Sequence, residues 1–82
     1  MITSKTPKLD LHGEIVAMVD SLVSSFIHDN KIQKNEYIII IHGKSTNILT
    51  KEVHRILKNN PDVLEYKLNN WNLGETIVRL KL

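Results

Sequence analysis

Tyr37-Ile38-Ile39-Ile40-Ile41 is an unbroken, mostly β-branched apolar run, with polar residues before it and His42-Gly43 after it. Such a run predicts a central strand buried on both faces, because a strand with water on one side alternates instead. A strand of this kind needs neighbours to pair with and a layer to cover it, and the rest of an 82-residue chain must supply both. That length holds one domain, since a second core has nowhere to come from.

The flanking patterns supply what the run requires. Lys8-Leu9-Asp10-Leu11-His12 alternates, with Leu9 and Leu11 facing one way and Asp10 and His12 the other, and Gly13 stops it. From Glu14 to about His28, the residues Ile15, Val19, Leu22, Val23 and Phe26 recur at spacings of three and four, which makes a helical stripe widened by Val16 and Ile27. The polar stretch Asn30 to Asn35 reads as a loop. After the run, Ser45 or Thr46 is the expected cap of a second helix with the stripe Leu49, Val53, Ile56 and Leu57, which Asn60-Pro61 ends. Val63 to Leu68 alternates with Leu64, Tyr66 and Leu68 on one side, Asn69 to Glu75 reads as a loop, and Thr76 to Leu82 closes the chain as a strand.

The expected fold class is therefore α/β: a two-layer sandwich in β-α-β-α-β-β order, with a four-stranded mixed sheet covered by two helices. Strands separated by helices are expected to be parallel and the last two to form an antiparallel hairpin. Residues 1–7 are expected to be a flexible segment, and residues 8–82 the domain.

Composition narrows the function classes. There is no cysteine, so disulfides and thiolate-bound zinc are excluded, and packing must stabilise the chain. The net charge of +2 is small but uneven: Met1 to Ile41 carries 4 basic and 5 acidic side chains, His42 to Leu82 carries 7 and 4. The absence of a long apolar segment or signal-like start leads to the expectation of a cytoplasmic protein with no membrane partner.

In open α/β sheets ligands gather at the carboxyl ends of parallel strands, where helix N-termini offer free N–H groups. Two strands here end in His12-Gly13 and in His42-Gly43-Lys44, each running into a helix. If these strands are adjacent, Asp10, His12, His42 and Lys44 converge on a patch suited to phosphate: the lysine and helix ends neutralise charge, and a histidine moves a proton near neutral pH. His28 and His54 are set aside as a helix-end residue and a stripe-margin residue. Gly43-Lys44-Ser45 is no P-loop, because Ile38 stands where its first glycine is required.

The segments Leu9-Asp10-Leu11-His12-Gly13, Ile40-Ile41-His42-Gly43-Lys44 and Gly74-Glu75-Thr76-Ile77-Val78-Arg79-Leu80 resemble, in order, the three signatures of the Smr (small MutS-related) domain family, over about Lys8 to Leu82. The resemblance implies a fold like the C-terminal domain of translation initiation factor three. It also implies work on nucleic acid: an endonuclease nicking DNA or cutting RNA, or else a non-catalytic module docking on branched DNA, structured RNA or the ribosome, possibly as the C-terminal part of a MutS-like protein. Carried over by position, the catalytic residues are Asp10, His12 and His42, and Gly43 and Lys44 face the nucleic acid. Ser45 of the same loop and Lys51 and Arg55 of the basic half are expected to extend that surface. A divalent cation, Mg or Mn, is the cofactor a nuclease reading allows. The chain departs from the family where H-G-x-G-x-G is usual, since Ser45 and Asn47 replace glycines and Ser45 adds a Cβ where a phosphate would pass. Trp71, in a loop usually rich in glycine, is expected to pack over the sheet edge rather than stack on an unpaired base.

Overall fold

The computed structural model describes residues 2–44 and 47–82. Its elements are β1 (Lys8–Asp10), α1 (Val16–Ile32), β2 (Tyr37–Ile41), α2 (Ile48–Asn59), β3 (Val63–Asn69) and β4 (Asn72–Leu80). They build the expected α/β fold, a four-stranded mixed sheet in the order β1-β2-β4-β3 with the two helices. β2 runs parallel to β1 and antiparallel to β4, and β3 and β4 form an antiparallel hairpin.

The isoleucine run is the interior strand β2, and the reason is burial. Ile38 and Ile40 are fully buried on the side that meets Val19, Val23 and Ile27 of α1 and Val53, Ile56 and Leu57 of α2. Ile39 points to the opposite side, between Lys8 and Ile77 in the two ladders, and is still only 4% exposed. Tyr37 and Ile41, which share the side of Ile39, are half-buried, so the run is dry on the helix side and only at its centre on the other.

Four local expectations are corrected. Helix α1 runs on to Ile32 because Asn30, inside the stretch read as a loop, is buried: its Nδ2 donates to the Phe26 carbonyl (2.8 Å) and its Oδ1 accepts from Asn35 Nδ2 (2.9 Å). The start of the stripe lies outside the core, since Ile15 precedes the helix and Val16 is exposed. Leu64 leaves the row of Tyr66 and Leu68 because the β3–β4 register shifts between Val63 and Glu65, so that Val63 packs on the core and Leu64 is half exposed. The loop expected from Asn69 to Glu75 is mostly strand: Asn69 pairs with Asn72, and only Asn70 and Trp71 form the turn.

The residue at the N-cap of α2 is Asn47, without a side-chain cap bond; the expected caps Ser45 and Thr46 lie outside the described residues. At the other end of the chain, Thr3 and Thr6 close a turn through Thr6 N–H to the Thr3 carbonyl (3.1 Å) and Thr3 N–H to Thr6 Oγ1 (2.8 Å). Among the described residues no helix is long and apolar enough to cross a membrane.

Candidate functional site

β1 and β2 leave the sheet side by side, tied at the exit by Leu11 N–H donating to the Ile41 carbonyl (2.8 Å). Past this point their polar residues part company. Asp10 pairs with Ile41 and shares its side of the sheet, whereas His42, one residue further, falls on the side of Ile38 and Ile40 beneath the helices. The expected patch is therefore split by the pleat. Asp10 and His12 stand exposed at the end of β1, and His42 is buried at 4% exposure.

The exposed half is a short turn. One carboxylate oxygen of Asp10 accepts the His12 backbone N–H (2.9 Å), and Gly13 follows at φ +80, a left-handed conformation that glycine takes at little cost. Among the described residues the second carboxylate oxygen and the imidazole of His12 have no hydrogen-bond partner.

The buried half is a hydrogen-bonded chain that includes His54, which sequence reasoning set aside. His42 Nδ1 lies 3.0 Å from the Gly43 carbonyl and 2.9 Å from Thr50 Oγ1, while its Nε2 lies 2.8 Å from Thr76 Oγ1. His54 Nε2 reaches the same Thr76 oxygen at 2.8 Å. A carbonyl can only accept, so the Gly43 contact puts a proton on His42 Nδ1. In the neutral ring Nε2 then accepts from the Thr76 hydroxyl, and Thr76 oxygen in turn accepts from His54 Nε2–H. Donation runs in one direction, from His54 through Thr76 and His42 to Gly43. The two rings stand edge to face at 6.1 Å, and His54 also leans on Tyr66 at 5.1 Å. Burial, and secondarily the neighbouring His42, holds the His54 imidazole below its ordinary pKa. The signal that could have found His54 is its spacing on α2: it lies four residues after Thr50, on the same flank of the helix.

The carbonyl held by His42 belongs to a glycine at φ +82. His42 N–H and Gly43 N–H both donate to the Gly74 carbonyl, at 2.9 and 3.0 Å, which fastens the β2 exit to β4. The fit is close there: a Cβ on Gly74 would lie 3.3 Å from Lys44 Cγ. Lys44 is exposed beside this junction. Ser45, expected to extend the surface, lies outside the described residues.

The remaining expected cations differ in character. Lys51 is exposed on the first turns of α2. Arg55 is gripped by Glu52 through two parallel bonds of 2.8 Å, which raise its guanidinium pKa and hold the Glu52 carboxyl below the usual carboxylate range. Arg55 is thus already paired. Among the described residues no three His, Asp or Glu side chains are grouped to hold a metal ion. The second carboxylate oxygen of Asp10, without a partner among the described residues, is the atom that would hold a cation taking most of its ligands from water and phosphate, as Mg²⁺ does.

Comparison with known proteins agrees with this architecture. The Smr domain model matches residues 9–81. "Endonuclease MutS2" of Halothermothrix orenii is 34% identical over 79 residues, covering 93% of this chain and 10% of that protein. The Helicobacter pylori protein of the same name is 34% identical over 73 residues, covering 89% of this chain and again 10% of its own length. The chain thus spans about a tenth of the length of the curated relatives it matches. The crystal structure of the Smr domain of Thermus thermophilus MutS2 superposes with a TM-score of 0.90 at 21% identity, covering 94% of this chain and 100% of that one, a likeness of fold. YdaL, a stand-alone small MutS-related protein from Escherichia coli, gives a TM-score of 0.88 at 27% identity, covering 96% of this chain and 70% of that one.

Proposed function

Because the chain belongs to the Smr domain family, we propose that it binds nucleic acid at the joined exits of β1 and β2 and hydrolyses a phosphodiester bond there. The observation that carries this reading is the Leu11–Ile41 bond, which brings an exposed Asp10–His12 turn and the Gly43–Lys44 turn to the ends of two adjacent parallel strands. The names of the relatives, endonucleases, favour the same chemistry.

In this reading Lys44 neutralises a backbone phosphate. The imidazole of His12 takes a proton from the attacking water or gives one to the leaving sugar oxygen as the P–O bond breaks. Asp10 fixes the turn that presents His12, and its second oxygen is the place for a divalent cation. A bound cation would polarise the phosphoryl oxygens. His42 does not face the substrate; it positions the Gly43 carbonyl and so shapes the turn that carries Lys44.

Nicking of supercoiled plasmid and cleavage of RNA, each with Mg²⁺, with Mn²⁺ and with chelator, test the proposal. His12→Ala and Asp10→Asn are expected to abolish cutting and preserve binding, and unchanged cutting by both variants would sink the catalytic assignment. A non-catalytic binding module is the second reading. It is favoured by the engagement of both His42 ring nitrogens inside the protein, and binding without turnover under every metal condition would select it.

A further inference from the structure

We infer that Trp71 is a stacking platform for an unpaired base, with Lys44 on a nearby phosphate, so that the preferred ligand is a nucleic acid strand with at least one unstacked nucleotide. The inference rests on the nucleic-acid reading above and adds what kind of strand is held. Trp71 was expected to pack over the sheet edge, yet it is 97% exposed at the tip of the β3–β4 hairpin. In a chain with a small core and a single tryptophan, the largest apolar side chain has been left in water.

The tip beneath it is ordered. Trp71 N–H donates to Asn69 Oδ1 (3.0 Å), Gly74 N–H donates to Asn72 Oδ1 (3.0 Å), and Asn69 Nδ2 reaches Glu75 Oε1 (3.2 Å). These bonds set the backbone while the indole stays free. The hairpin also leads directly to the phosphate side of the site, because the Gly74 carbonyl accepts from both His42 and Gly43 and Lys44 lies against Gly74.

An exposed indole three residues before Gly74, with the Lys44 side chain against Gly74, is suited to a base and its phosphate. Every base offers a π-face, and truncating such an aromatic weakens single-strand binding about ten-fold or more. The interior bases of an intact duplex are already stacked on one another, and only its two end pairs present an open face to the ring.

Trp71 is the only tryptophan, so intrinsic fluorescence reports this position alone. The wild-type chain is titrated with a short oligodeoxythymidylate and with a blunt duplex of equal length. Quenching is expected with the single strand only. Trp71→Ala is expected to weaken single-strand binding about ten-fold while leaving duplex binding and the circular dichroism spectrum unchanged, and Trp71→Phe to restore part of the loss. Single-strand binding that neither quenches the indole nor weakens in Trp71→Ala would overturn the stacking inference and leave the nucleic-acid reading standing. Binding of neither probe would overturn both.

Discussion

Thr76 Oγ1 serves two imidazoles at once, accepting from His54 and donating to His42 in the direction that the Gly43 carbonyl sets. Thr76→Val keeps the shape and removes the hydroxyl, so His42 Nε2 and His54 Nε2 both lose their partner. The expected cost is about 1–3 kcal/mol, read as a lower urea midpoint at unchanged slope. Gly43→Ala isolates a different term. Among the described residues nothing lies within 4 Å of the added Cβ, so the cost expected is that of the left-handed backbone, about 1–2 kcal/mol. His54 contributes a pH dependence of definite sign. The folded chain binds its proton less readily than the unfolded chain, whose histidine has the ordinary value of 6.5, because of desolvation and then His42. Between the two values the unfolded chain holds more protons, so this contribution to stability is complete above pH ~6.5 and is lost as pH falls through that window. The groups around the ring are His42, Thr76 and Tyr66. Melting temperatures measured from about pH 8 to about pH 5 should fall on acidification in the wild type and fall less in His54→Gln.

At the scale of elements, the end of α1 stores strain that one substitution can release. Lys34 follows the helix at φ 61, and Asn35 N–H returns to the Asn30 carbonyl at 2.9 Å. Lys34→Gly should stabilise the chain by about 0.5–1 kcal/mol, the left-handed penalty less the added freedom of glycine when unfolded, measured by urea denaturation. The same segment explains what was legible in the sequence. Periodicity revealed the stripe Val19, Val23 and Ile27, the isoleucine strand and the element order, because these depend on apolar spacing alone. It could not reveal that Asn30 is buried by its own bonds to Phe26 and Asn35, so a helix that continues for another turn read as a loop. A bulge at Leu64 and a two-residue turn at Trp71 were hidden for the same reason: both are matters of register between strands, which no single segment encodes. Of the candidate site, the adjacency of the two strands that carry it was legible. What the pattern missed was the face: the alternation that pairs Asp10 with Ile41 sends His42 to the other side, where the half-buried His54 meets it through Thr76.

For the whole molecule, the partner of each cation matters more than the total. Arg55 is held by Glu52, Arg79 by Glu36 and Lys31 by Asp62, which withdraws three of the basic side chains from easy phosphate contact. Near the exits of β1 and β2 the exposed cations expected to meet a strand are Lys44 and Lys51. If these two carry the backbone contacts, a nucleic acid releases few counterions on binding, and the logarithm of affinity should fall against the logarithm of salt with a slope of about −1.4 on a single strand and about −1.8 on a duplex. Lys44→Ala should make that slope shallower by about one unit. Glu52→Gln should act in the opposite sense: freeing Arg55 from its carboxylate adds a cation to α2 and should steepen the slope, provided this part of α2 lies along the strand. Affinities measured across a salt series for the wild type and both variants check all three statements. A slope indifferent to salt would shift the partner from nucleic acid to protein. A Glu52→Gln slope equal to that of the wild type would place the strand on the Lys44 side of the molecule and away from Arg55, which faces Asp20 of α1.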